Sequence, residues 1–323
     1  MATERAPKTL LEAVKYFADE NVAHGFVAAL RWPDAEVRCP RCDSKRHSFL
    51  ATRRVWKCLD CKKQFSVKVG TIFEDSPLPL SKWLPAMWMI CNCKNGISSY
   101  ELHRAIGVTQ KTAWFMLHRL RLAMQHKSFT RMGGIVEADE TYIGGKARHM
   151  HKSKLRKLGQ QHIQHGPTSY GKVAVMGLLE RHDKGKTRVR TLLLNSRSTT
   201  ELMDRIVENV ERGATVNTDE ARGYGGLIAS FAHKVINHAE KYVDGNVHTN
   251  NCENFWSLLK RTLKGTYVSV EPFHLFRYLD EQCFRFNERG LDDAGRFLMT
   301  AASIFGRRVM YKQLTGHANT AAI

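Results

Sequence analysis

Three acidic residues, Asp139, Asp219 and Glu253, carry the side chains most suited to metal-dependent chemistry in a chain with few acids. Asp139 lies in a strand-like run, Asp219 follows another, and Glu253 lies in a segment of helical periodicity. Two strand carboxylates and one helix carboxylate can converge at a sheet edge and bind two hard divalent cations, which prefer oxygen ligands. Such an ion pair activates a water or sugar hydroxyl against a phosphodiester and stabilises the leaving oxygen. Each acid taken alone is more often solvated or salt-bridged.

Four cysteines form a second group with clear chemistry. Cys39-x2-Cys42 and Cys58-x2-Cys61 are separated by fifteen residues, which is the spacing of a zinc ribbon. With four thiolates the zinc has no open coordination position, so the predicted role is structural. Two pairs of buried or disulfide-linked cysteines are the alternative. The remaining four cysteines lack a second paired knuckle and are interpreted as ordinary, partly buried thiols.

The segment from Ser98 to Trp114 has the layout of a helix-turn-helix. Ser98 or Ser99 can cap a first helix, Gly107 permits the turn, and Thr109 can cap a second helix. A generic helical pair is the alternative interpretation. If the motif binds DNA, the second helix presents these residues to the groove: Gln110, Lys111, Thr112, Phe115, His118 and Arg119.

The overall composition points to a nucleic-acid partner. The 323 residues allow about two domains, and 43% hydrophobic with 25% charged residues is typical of a soluble globular chain. The formal net charge of +19 indicates a polyanionic partner, because counterion release from phosphates supplies affinity. No apolar stretch reaches the ~18 residues of a bilayer span, and no secretory signal is evident. We therefore expect a cytoplasmic, nucleoid-associated protein with no membrane partner.

The elements that must position these residues are of the α/β class. Residues 1–75 are predicted to hold two short helices and the ribbon, 76–130 the helix-turn-helix, 131–292 the catalytic domain and 293–323 a helical tail. Within 131–292, four strand-like runs and three helical segments predict a mixed sheet with flanking helices. The runs are Ile135 to Ile143, Lys172 to Leu179, Val189 to Leu194 and Thr215 to Thr218, and the helical segments are Thr200 to Arg212, Asn251 to Leu263 and Pro272 to Asn287.

A basic segment without acids, residues 146–172, follows the first of these strands. We expect a flexible loop that lies along the DNA backbone, with a merely solvated loop as the alternative. His149 and His151 lack a second pair at suitable spacing and are not predicted to bind metal. The candidate phosphate contacts are Lys152, Lys154, Arg156 and Lys157.

Several segments together resemble the ISXO2-like insertion-sequence transposases over nearly the whole chain. The segments that carry the resemblance are Cys39 to Cys61, Gly70 to Glu74, Leu80 to Trp83, Glu137 to Lys146, Asn217 to Asp219, Asn251 to Arg261 and Phe284 to Asn287. Members of this family have a zinc ribbon, a helix-turn-helix and an RNase H-like catalytic domain with a DDE-type acidic triad.

The resemblance implies that Asp139, Asp219 and Glu253 are the triad and that Lys260 is the basic residue that follows the third acid. It also implies Mg²⁺ or Mn²⁺ at the triad, one structural Zn²⁺, double-stranded DNA as partner, and a homo-oligomer on that DNA. Three neighbours of Glu253 stay open as the third ligand: His248, Asn250 and Asn251. Glu140 is expected on the opposite strand face, with a structural role, and Glu220 is interpreted in the same way.

Three functions compete at this point. The leading hypothesis is a transposase that binds the ends of its element, cuts phosphodiester bonds and joins the 3′ hydroxyl to target DNA. A DNA-binding regulator with an inactive α/β domain is the second. An RNase H-like nuclease or resolvase that cuts without joining is the third, because the same metal geometry serves water and hydroxyl nucleophiles.

Overall fold

A computed structural model describes residues 7–125, 130–145, 151–153, 156, 172–182, 187–195, 198–219, 231–236 and 248–316. The chain divides into two compact units, Met1–Gln125 with Leu291–Ile323, and His126–Gly290. The tail after residue 290 therefore belongs to the N-terminal unit. The finer division between residues 1–75 and 76–130 stays a prediction.

The N-terminal unit is built around helices α1 (Leu10–Tyr16), α2 (Glu20–Arg31), α3 (Leu80–Asn92) and α9 (Asp293–Ala302). Its core is aromatic: the rings of Phe26 and Trp88 lie 5.8 and 5.1 Å from that of Phe297. The buried start of α3 has no side-chain cap of its own. Glu20 supplies the acceptors instead, since its carboxylate accepts the backbone N–H groups of Leu80 and Ser81 at 2.8 and 3.0 Å. These two hydrogen bonds fix α3 to α2.

The ribbon is a three-stranded antiparallel sheet of β1 (His47–Leu50), β2 (Val55–Cys58) and β3 (Gln64–Phe65). Strand β3 is short because the chain turns at Ser66 and again at Lys68. Trp56 on β2 is the hydrophobic centre of the ribbon, with ring centroids 5.2 Å from Trp32 and 5.8 Å from Phe65.

The predicted helix pair is present as α4 (Ser99–Ile106) and α5 (Gln110–Met124). Ser98 and Glu101 form a capping box at the start of α4. Gly107 ends α4 with φ +62°, a left-handed conformation that favours glycine. Thr109 then caps α5 by accepting the Thr112 N–H. Each boundary follows from the local sequence, as expected.

The C-terminal unit contains a five-stranded mixed sheet in the order β6-β5-β4-β7-β8. The strands are β4 (Ile135–Gly144), β5 (Lys172–Arg181), β6 (Arg188–Leu194), β7 (Thr215–Asp219) and β8 (Ala232–Ile236), and the helices are α6 (Thr199–Asn209), α7 (Asn250–Thr262) and α8 (Leu275–Asn287). The pairs β4–β5 and β5–β6 are antiparallel, whereas β4–β7 and β7–β8 are parallel. The edge strand β8 is an addition to the predicted set.

Helices cover both faces of this sheet. Alternate residues of β4, including Val136 and Ala138, pack with Leu202 and Ile206 of α6. The opposite face carries Val175 and Leu179 of β5 against α7 and α8. None of the helices in the described ranges is long and apolar enough to cross a membrane.

Candidate active site

The three acids lie on three neighbouring elements of the C-terminal unit. Asp219 is the last residue of β7, and Glu253 lies in the first turn of α7. Asp139 lies in the middle of β4. Parallel pairing of β4 with β7 extends to Glu137 opposite Asn217, so Asp139 lies just beyond the paired section. Asp139 and Asp219 therefore lie where β4 and β7 stop sharing hydrogen bonds.

Electrostatics connect the three acids. Burial raises the pKa of Asp139 to about 6, and the negative charges of Asp219 and Glu253 contribute in the same direction. Hydrogen bonds from the Trp256 indole and the Glu140 backbone N–H act against this shift. Asp139 is thus a carboxylate whose charge is disfavoured by its surroundings and would be favoured by a nearby cation.

The donor set fits a hard divalent cation by its chemistry: all three side chains offer oxygen and carry negative charge. The three carboxylates do not form a tight cluster. Among the described residues, the four ribbon cysteines are the one group of three or more His, Cys, Asp or Glu side chains close enough to share an ion, with ligand atoms within 4.8 Å of one another.

Glu137, two residues before Asp139 on the same strand face, is a fully buried carboxylate with 0% exposure. It accepts the backbone N–H groups of Asn251 and Cys252, both at 3.1 Å, at the start of α7. It also accepts the Asn251 side-chain amide and the Arg181 Nε–H, each at 2.6 Å. Glu137 therefore caps the helix that carries Glu253 and ties it to the strand that carries Asp139.

Two of the alternative third ligands are engaged in this network. The side chain of Asn251 donates to Glu137, and Arg181 donates to Nδ1 of His248 at 2.8 Å. Burial and the Arg181 charge lower the pKa of His248, so its neutral form is favoured. Glu253, in contrast, is exposed. Of these three residues, Glu253 is the one that is not bonded to Glu137 or Arg181 in these contacts.

Three further residues are predicted to lie near the acids: Lys260, Glu140 and Glu220. Lys260 is exposed on α7, two turns after Glu253. Glu140 shares its strand face with Val136 and Ala138, opposite that of Asp139, as expected. Glu220 lies outside the described residues.

The four cysteines of the ribbon converge as predicted. The Sγ atoms of Cys39 and Cys61 are 3.7 Å apart, and those of Cys42 and Cys58 are 3.6 Å apart. Tetrahedral zinc with Zn–S bonds of about 2.3 Å requires S–S separations of about 3.8 Å. The residue after each pair, Asp43 and Lys62, has positive φ, so both knuckles turn in the same way. The cluster fits a structural zinc ion.

The predicted DNA-facing side of α5 is only partly exposed. Lys111 is exposed, while Gln110 and Thr112 are half-buried and bonded to Ser99 and Thr109. Gln110, Lys111 and Thr112 lie together at the first turn of α5, as expected.

The expected exposure of Arg119 is wrong. It is 4% exposed and donates to the backbone carbonyls of Ile72 and Glu74 at 2.9 and 2.7 Å. His118 is likewise buried. All residues of α5 from Met116 to Arg121 are buried. The position of a residue around the helix therefore does not predict its exposure in this part of α5. Arg119 therefore connects α5 to the segment that follows the ribbon.

The basic segment after β4 is described at only a few positions. Lys152 and Arg156 are exposed, consistent with a surface position. Lys154 and Lys157 lie outside the described residues, as does most of the segment predicted to be a flexible loop.

Sequence reasoning missed the residues that hold the acids in place, namely Glu137, Arg181, Trp256 and Gly177. Two signals were available. Glu137 shares the period-two face of Asp139, so it had to enter the same layer. Gly177 interrupts an otherwise apolar strand, which often marks a close approach by another group.

Comparison with known proteins agrees with this architecture. Residues 131–287 match the model of the ISXO2-like transposase domain, and residues 18–64 match that of the transposase zinc-ribbon domain. An uncharacterized protein in transposable element ISH50 of Halobacterium salinarum is 29% identical over 258 residues, which span 77% of this chain and 85% of that protein. The sheet-bearing unit is therefore similar to the ISXO2-like transposase domain, whose DDE-type architecture implies the RNase H-like fold, and the ribbon is similar to the transposase zinc ribbon.

Proposed function

We propose that this protein is an insertion-sequence transposase that binds double-stranded DNA at the ends of its element, cuts phosphodiester bonds there and joins the freed 3′ hydroxyl to target DNA. The observation that carries the proposal is the electrostatic coupling of Asp139 with Asp219 and Glu253 at the point where β4 and β7 part. The buried carboxylate of Asp139 lies in the negative field of Asp219 and Glu253, so its charge needs compensation. Divalent cations provide that charge and are the agents of phosphodiester chemistry.

Each residue has a distinct part in this proposal. Asp139, Asp219 and Glu253 would hold Mg²⁺ or Mn²⁺, which supplies Lewis-acid stabilisation of the phosphate oxygens when bound. Glu253 completes the set because its charge acts on Asp139, whereas His248 and Asn251 are bonded to Arg181 and Glu137 and Asn250 offers only a neutral amide oxygen. Lys260 lies on the same helix and offers a positive charge to a DNA phosphate.

The DNA itself would contact two surfaces. At the first turn of α5, Gln110, Lys111 and Thr112 face the element ends. Lys152 and Arg156, with Lys154 and Lys157, supply phosphate contacts beside β4. A homo-oligomer on DNA would bring two element ends together for coordinated cutting. The zinc ribbon stabilises the N-terminal unit that carries the first of these surfaces.

The two alternative functions, a DNA-binding regulator and a nuclease that cuts without joining, require different features of the site. A regulator with an inactive domain has no need for a buried Asp139 whose pKa is raised by burial and by the charges of Asp219 and Glu253, which disfavours this function. A nuclease that cuts without joining shares the same site and differs only in the nucleophile. Joining is therefore the property that separates it from a transposase.

The proposal is tested with labelled duplexes taken from the DNA that flanks the coding region. Incubation of the full chain with Mg²⁺ and a target plasmid should yield a cut end and then a labelled plasmid. Cut ends without labelled plasmid would favour the nuclease, and binding without cutting would favour the regulator.

Lys111→Ala should weaken binding to element ends, because it removes an exposed cation from the presumed recognition helix. Loss of one phosphate contact should also reduce the salt dependence by about one unit of slope. Arg119→Ala is the matched comparison, since its guanidinium is buried on backbone carbonyls. It should lower the melting temperature of the chain and leave the salt slope unchanged. Gel-shift titrations at several salt concentrations that give Lys111→Ala a wild-type slope would remove Lys111 from the interface.

A further inference from the structure

The indole of Trp256 lies directly against the carboxylate of Asp139. Trp256 follows Glu253 by three residues on α7 and is 4% exposed. Its Nε1–H donates to Oδ2 of Asp139 at 2.9 Å, while the Glu140 backbone N–H donates to Oδ1 at 2.8 Å. Each carboxylate oxygen therefore has one fixed donor and keeps acceptor capacity for another partner.

Gly177 on β5 makes this position of the indole possible. It lies opposite Asp139 in the β4–β5 register. A Cβ built at Gly177 would lie 2.6 Å from Cζ2 and 2.9 Å from Cη2 of Trp256, which is too close for any real contact. The backbone of Gly177 does not have positive φ, so conformation alone would permit alanine. Close approach of the indole is therefore the reason for glycine at this position.

We propose that Trp256 is a positioning residue for Asp139: its indole N–H, seated on the bare backbone of Gly177, fixes the orientation in which the carboxylate meets a divalent cation. The inference rests on the proposed function, since it assigns the cation to Asp139. Groups that orient metal ligands typically contribute about 10- to 100-fold to metal affinity. A purely structural Trp256 would contribute packing against the α7–α8 face of the sheet and nothing to the cation.

The test uses Mn²⁺ alone as the probe, with the free ion measured by electron paramagnetic resonance in the presence of the full zinc-loaded chain. Trp256→Phe keeps an aromatic ring and removes the donor, so the dissociation constant for Mn²⁺ should rise by about 10-fold. Gly177→Ala displaces the indole and should cause a similar loss. Trp88→Phe, an equally buried tryptophan in the N-terminal unit, is the matched control and should leave Mn²⁺ binding unchanged.

The double variant gives the sharpest readout. If the methyl group of Gly177→Ala acts by moving the indole N–H, adding Trp256→Phe should cost little further affinity, because the donor is already lost. Additive losses would overturn the proposal. Wild-type Mn²⁺ affinity in Trp256→Phe, with loss of binding in Asp139→Asn, would overturn the positioning role and leave the proposed function intact. Wild-type affinity in Asp139→Asn as well would overturn both.

Discussion

Asp139→Asn, Asp219→Asn and Glu253→Gln should each lower cutting and joining of element ends by more than about 100-fold, as removal of charge stabilisation does elsewhere. Each change keeps the side-chain shape and removes one negative charge from a site that must hold dications. DNA binding should persist or tighten, because a carboxylate near phosphates repels them. The measurement is a strand-transfer assay with labelled ends, run beside a gel-shift titration.

Glu140→Gln is the control for these three variants. It makes the same chemical change on the opposite face of the same strand, so most activity should remain. Full activity of Glu253→Gln, together with an inactive variant at Asn250, Asn251 or His248, would show that the third ligand has been misassigned. Full activity of all three acid variants would contradict the proposal that these acids form the active site of an enzyme.

Glu137→Gln should destabilise the C-terminal unit by about 3 kcal/mol, because removing one partner of a buried ion pair leaves the other charge uncompensated. The amide would also point a donor at groups that already donate: the Asn251 and Cys252 N–H groups and the Arg181 guanidinium. Hydrogen exchange measured by mass spectrometry should show faster exchange in peptides that cover α7. The first turn of that helix should be affected most.

Glu253→Gln serves as the matched control for this change. It is the same substitution four residues into α7, but at an exposed position, where changes usually alter stability by less than about 0.5 kcal/mol. Equal exchange rates in Glu137→Gln and Glu253→Gln would mean that Glu137 does not hold the helix. The pair thus separates structural support from catalysis within one segment.

Local signals in the sequence predicted much of this structure. The Ser98 and Glu101 capping box and the Gly107 stop set the helix-turn-helix boundaries, because these residues act through their own backbone neighbours. The cysteine spacing predicted the ribbon for a similar reason, since two short knuckles need little else to converge. For the acids, alternation along β4 separated Asp139 from Glu140 before any contact was known.

The errors arose where contacts between distant parts of the chain determine whether a residue is buried. Arg119 has the helical phase of a surface residue, but its surroundings come from residues 72–74, which no local pattern places there. Glu137 and Trp256 act through hydrogen bonds to Asn251 and Asp139, which lie more than 110 residues away in the chain. The short edge strand β8 contains His233 and Lys234 and so lacks a clear apolar pattern.

The central claim, that Asp139 holds the cation on which cutting depends, is tested most directly by Asp139→Cys. A thiolate is a soft ligand that binds Mg²⁺ poorly and accepts the softer Mn²⁺ more readily. Cutting of a labelled element end by wild-type protein should proceed with either metal. The variant should be inactive with Mg²⁺ and regain cutting with Mn²⁺, whereas wild-type activity of Asp139→Cys in Mg²⁺ would contradict the assignment.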